Sequence, residues 1–164
     1  FMKFIYASLV LLSTALTGSA MANEPLEIFW EDLVPEGHVA VDTRNNSSSH
    51  EGSEQNWVQP NLDAPVVQKY NGKTVSLPGF VVPLEGDNES ITEFLLVPYF
   101  GACIHVPPPP PNQIVHVTMK NGVPIDSLYD AIVVTGVMQA DSWSGEIAKT
   151  GYKIAGVGVA PFEL

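Results

Sequence analysis

The chain's only cysteine, Cys103, stands two residues before His105, and a run of five prolines, Pro107 to Pro111, follows almost at once. In an extended segment, residues two apart point to the same side, with Cα atoms about 6–7 Å apart. A thiolate and an imidazole so placed can share one metal ion, since zinc accepts sulfur at about 2.3 Å and nitrogen at about 2.0 Å. Zinc takes four ligands, or three and a water. His116, on the next apolar segment, and Glu85, in "VVPLEG", are the candidates to complete the sphere. His38, His50, Glu51 and Glu54 lie further upstream, and spacing does not choose among them. The same pair permits thiol chemistry, with Cys103 as nucleophile and His105 or His116 as base. Against catalysis, residues two apart on a strand sit side by side rather than in line. No Gly-rich helix start follows the cysteine to form an oxyanion hole. The third reading is structural: Cys103 is a small buried hydrophobe and His105 bonds a backbone carbonyl in the proline corner.

The compartment bears on that choice. Met2 and Lys3 precede the apolar run "FIYASLVLLSTALTG", and "AMA" supplies small residues at Ala20 and Ala22. This order predicts a signal peptide over residues 1–22, cleaved after Ala22. The run is too short to serve as a stable membrane span. A lone thiol is thereby sent to an oxidising compartment, where none of its own kind can pair with it. The formal net charge is −11, and losing Lys3 makes it −12. Such a field repels nucleic acid and anionic membranes and suits cationic partners or metal ions.

The elements that must position these residues follow from periodicity. Residues 23–68 read as a lead-in. In "EPLEIFWEDLVP", Leu26, Phe29, Trp30, Leu33 and Val34 have the spacing of one or two helical turns lying on a core. "DTRNNSSSHEGSEQNW" is almost free of apolar residues and reads as a mobile loop. Residues 69–164 read as a β-barrel domain. "GKTVSLPGFVVPLE" alternates as a strand, interrupted by a bulge or bend at Pro78-Gly79. "TEFLLVPYF", "QIVHVTM", "AIVVTGVMQAD" and "YKIAGVGVAPF" supply four more strands. "KNGVP" and "EGDNES" read as turns, and "SWSGEIAKTG" as a short helix. Glycines within strands favour tight coiling and closure. The expectation is an all-β fold with minor helix, a five-stranded OB-like barrel, with a β-sandwich as the alternative. The prolines, held near polyproline II, would fix a corner between two strands. Asn112 and Gln113 would either meet a ligand at the barrel mouth or cap backbone groups around the proline run.

"WEDLVP", "LPGFVVPLE", "EFLLVPYFGACIHVPPPPPNQ", "VTGVM" and "GYKIAGVGVAPF" together resemble a family of exported proteobacterial proteins of unknown function, over about Glu27 to Phe162. Members tend to be encoded beside ABC-transporter components of the lipoprotein-exporter type, and often beside a His-rich periplasmic protein linked to zinc supply. The resemblance implies a periplasmic accessory role in handling a divalent metal, with zinc as cofactor. It implies transporter components or a periplasmic metal-binding protein as partners. By position, the family's thiol, imidazole and "PLE" carboxylate fall on Cys103, His105 and Glu85. Two alternatives stand beside this: a metal-free OB-like module offering the proline corner to a protein or small ligand, and a thiol-dependent cell-envelope enzyme.

Overall fold

The first long strand changes neighbours halfway along, and the barrel closes because of it. In the computed structural model, which describes residues 24–46 and 58–163, β2 spans Thr74–Gly86. Its first half, Thr74 to Gly79, pairs antiparallel with β5 (Ile132–Gln139); its second half, from Phe80, pairs antiparallel with β3 (Ser90–Val97). A Cβ on Gly79 would stand 2.8 Å from both Leu96 Cγ and the Val97 carbonyl oxygen, so glycine is what lets β3 approach at the switch. The register runs through Pro78-Gly79 without a bulge, and the irregular pairing falls at Pro83 to Gly86 instead. The interruption at Pro78-Gly79 is therefore a bend with a change of partner.

β3 pairs with β4 (Val115–Pro124), and β4 pairs in parallel with β8 (Tyr152–Pro161), which returns antiparallel to β5. With β2 joined to β5, the five long strands form a closed, Greek-key, OB-like barrel. β1, only Leu26–Glu27, lies parallel to β2. Two expectations are corrected. "KNGVP" is not a turn but the far end of β4, where Gly122 at φ +68° absorbs the irregular register against β3. "SWSGEIAKTG" forms no helix. It folds into a hairpin of β6 (Trp143–Ser144) and β7 (Lys149–Thr150), closed by the Gly145 N–H donating to the Ala148 carbonyl at 3.1 Å. Tertiary contacts override the local cap signals there, because Gln59 accepts from the Lys149 N–H at 2.8 Å and donates to its carbonyl at 2.8 Å.

The alternating residues of the strands fill the barrel: Val75, Leu77, Phe94, Leu96, Val117, Val134, Met138 and Ile154 are among the buried interior. The lead-in closes one side. The expected helical turn on the core is a single 3-10 turn at Trp30–Leu33 that buries Leu33, while Ile28 packs into the same core. A second, smaller apolar cluster lies on the outer face of β2, β3 and β4. It contains Val82, Leu95, Val97, Ala102, Ile114 and Ala148, with Cys103 and Trp143 packed against it. This explains why "FLLV" in β3 does not alternate, since both of its faces are covered.

The proline run is inside the molecule. Pro107 through Pro111 are buried, so the corner expected to face a partner is covered by the lead-in. Four of its five carbonyls are matched: Pro107 by the Thr43 hydroxyl at 2.9 Å, Pro109 by Gln59 at 2.8 Å, Pro110 by the Gln113 N–H at 2.8 Å and Pro111 by the Gly151 N–H at 2.6 Å. Asn112 and Gln113 bond the lead-in rather than a barrel mouth, donating to the Pro65 and Trp30 carbonyls. The start of the expected mobile loop, Thr43–Asn46, is a docked 3-10 turn; the rest of that loop, with His50, Glu51, Glu54 and Trp57, lies outside the described residues, as does the expected signal peptide. Among the described residues, no helix is long and apolar enough to cross a membrane.

Tyr152 ties lead-in to barrel. Its fully buried hydroxyl donates to the Leu33 carbonyl at 2.7 Å and accepts from the Val67 N–H at 2.6 Å. Burial pushes the phenol from 10.0 up to about 12. The folded state therefore holds this proton more tightly than the unfolded chain does. The associated stability is complete below pH 10 and is lost as pH climbs toward 12. Tyr152→Phe should cost roughly 1–3 kcal/mol near neutral pH by orphaning two buried backbone groups. In urea titrations across pH, the gap between wild type and variant should narrow between pH 10 and 12; a constant gap would contradict this role.

Candidate functional site

After β3 the chain turns sharply at "PYFGACIHV". Gly101 adopts φ +84°, and its carbonyl accepts from three amides in succession: Ile104 at 3.2 Å, His105 at 2.8 Å and Val106 at 3.2 Å. Cys103 itself sits at φ +65°, a left-handed conformation that costs a non-glycine residue of order 1 kcal/mol or more. The segment is thus a knot of turns, not the extended stretch expected for a shared-metal pair. The Cys103 side chain packs against the outer apolar cluster, and burial pushes its thiol from 9.0 up to about 12. His105 is exposed.

The other two candidates lie elsewhere. Glu85 is exposed near the end of β2, paired in register with Glu93 of β3. His116 is buried on the outer face of β4, its Nε2 2.7 Å from Glu93 Oε1. The Trp143 ring stacks on it with centroids 4.3 Å apart and planes 9° from parallel. His116 is therefore partnered by Glu93 and Trp143, two residues the sequence reading did not place with it. The signal for Glu93 was present: it is a carboxylate directly before the doubly buried run "FLLV". Among the described residues, no group of three or more His, Cys, Asp and Glu side chains is placed to hold a metal ion. Cys103, His105, Glu85 and His116 are not gathered into one.

What the turn does create is an apolar pocket. Cys103 faces inward, while Ile104 stands 50% exposed and Phe100 55% exposed. With Tyr129, 74% exposed on the loop before β5, they ring a cavity of about 200 Å³ whose wall includes the buried Val81, Val82 and Val97. Phe80 of β2 meets the Phe100 ring edge-on, centroids 6.0 Å apart and planes at 73°, which orients the rim. His105 lines the same pocket. A larger depression, about 600 Å³, lies between lead-in segments around His38 and Asp63 and has a mixed polar lining. Sequence patterning missed the first pocket because Phe100 and Ile104 lie within a turn, where neither period applies. Large apolar residues beside Gly101 are the signal it left.

The thiol's burial has a direct readout. At pH 8 the thiolate fraction of folded Cys103 should be two to three orders of magnitude below that of the unfolded chain. Labelling with a disulfide reagent should be correspondingly slow until denaturant is added. Fast labelling of the native protein would show that the thiol faces solvent.

The barrel and its loops have a solved counterpart. A crystal structure of a DUF3299 family protein from Pseudomonas aeruginosa PAO1 superposes with a TM-score of 0.72 at 41% sequence identity, covering 86% of this chain and 98% of that one. No curated protein matches the chain. Residues 30–161, from the lead-in turn to the end of the last strand, match the family described as protein of unknown function DUF3299. With the match spanning nearly all of the described fold, the chain belongs to the DUF3299 family.

Proposed function

We propose that this chain is a metal-free binding module, an OB-like barrel that offers the pocket beside the Phe100–Ile104 turn to a protein or small ligand. The observation that carries the reading is the ring of half-exposed or more exposed Phe100, Ile104 and Tyr129 around a cavity with a buried apolar wall. Clustered exposed apolar side chains are costly in water and mark interaction surfaces. The Gly101 carbonyl holds its turn with three hydrogen bonds, so little ordering remains to be done on binding. Transporter components and a periplasmic metal-binding protein, the partners implied by the family resemblance, are candidates for this surface. Metal handling would need Cys103 and His105 to share an ion, and the turn gives them different surroundings.

Titrating the untagged chain, residues 23–164, with N-acetylphenylalaninamide tests the pocket. NMR shifts should concentrate on Phe80, Phe100, Ile104 and Tyr129. Ile104→Glu should weaken them by about tenfold or more while leaving stability within about 0.5 kcal/mol, as befits an exposed position. Shifts spread evenly, or centred on the larger depression near His38, would sink the reading. Elemental analysis of the same sample decides the metal question. We expect no stoichiometric zinc; zinc retained through dialysis and lost in Cys103→Ser would favour metal handling instead.

A further inference from the structure

The pocket's size and surroundings narrow what fills it. About 200 Å³ lies below the roughly 300–1,000 Å³ of typical small-molecule sites. It suits a single large apolar side chain, the anchor of a polypeptide. The loop carrying Leu128 and Tyr129 forms one wall of this pocket, and its other side walls a second depression of about 350 Å³. Two carboxylates, Asp126 and Asp130, line that second depression beside the apolar Ile132, Val159 and Pro161. Both aspartates are exposed, as is Glu85 just beyond the first pocket's Pro83. Among the described residues, no lysine or arginine lines either depression. Apolar walls under a carboxylate pair fit a lysine or arginine, whose methylene stem lies on carbon while its charged end meets the acid. The chain's net charge of −11 draws such a segment in from a distance.

Resting on the pocket reading above, we infer that the partner is a polypeptide segment with a large apolar residue close to a lysine or arginine. The apolar residue seats between Phe100, Ile104 and Tyr129. The basic one crosses the Tyr129 ridge and seats against Asp126 and Asp130.

Two fluorescent pools of short peptides test this on residues 23–164. Every peptide carries one central Phe or Leu; neighbouring positions are Lys or Arg in one pool and Asp or Glu in the other. Fluorescence polarisation should show the basic pool binding about five- to tenfold more tightly, the range expected of two exposed ion pairs. The preference should shrink as salt rises. Asp126→Asn with Asp130→Asn should remove most of it while leaving the N-acetylphenylalaninamide shifts unchanged. Ile104→Glu should abolish binding of both pools. Equal affinity for the two pools overturns the inference and leaves the pocket reading intact. Failure of both pools while N-acetylphenylalaninamide still binds also overturns it, and points to a small ligand. Failure of all three probes removes the pocket reading itself.

Discussion

A buried run of prolines has acceptors and no donors, and the fold is arranged around that imbalance. Each proline brings a carbonyl into the interior and no N–H to pair with it. Left unmatched, each such carbonyl would cost of order 1–3 kcal/mol. Four of the five are matched from several parts of the chain: by Thr43 and Gln59 from the lead-in, Gln113 from the run's own 3-10 turn, and Gly151 from the link into β8. Gly151 shows how tight the arrangement is. A Cβ there would fall 2.9 Å from the Pro111 carbonyl oxygen and 2.8 Å from Val66, so only glycine brings its amide close enough. Gln59 goes further, using both ends of its amide to join Pro109 to the backbone of Lys149. The lead-in therefore completes the hydrogen bonding of a segment between β3 and β4.

That anchoring determines what the neighbouring turn can do. Because the prolines are fixed from behind, the nine residues between β3 and Pro107 have to reverse within a short span. Gly101 and Cys103 accept left-handed conformations to achieve this. Inserting Cys103 into the outer apolar cluster swings Ile104 out beside Phe100. Phe80 reaches the same rim because β2 has already exchanged β5 for β3 at Gly79. The pocket is thus a by-product of two backbone solutions, the bend in β2 and the reversal after β3.

The barrel was legible because period two survives in β5 and along the first half of β2, and the glycines within strands mark closure. The turn was not, because its shape depends on partners far away in the chain. Thr43 and Gln59 lie 64 and 50 residues from the carbonyls they satisfy. No local pattern encodes that pairing. The same limit explains the hairpin at Trp143–Thr150. Its local signals favour a helix, whereas the stacking of Trp143 on His116 and the pairing of Lys149 with Gln59 favour strands. At the candidate site, the residues singled out for their chemistry and the residues that ring the cavity are different ones. Cys103 packs on the outer cluster and His116 pairs with Glu93, while Phe100, Ile104 and Tyr129 ring the cavity.

Burial also sets the chemistry open to the lone thiol. Oxidation and disulfide exchange proceed through the thiolate, and an apolar setting suppresses it. With its thiol pushed up to about 12, Cys103 is protected by the same contacts that make it useful as an anchor. A serine of similar size would carry a hydroxyl into that cluster and demand a hydrogen bond there. Alanine would leave the strained φ +65° with less packing to hold it. Cysteine is small, apolar enough and polarisable, which suits the apolar contacts it makes at this turn.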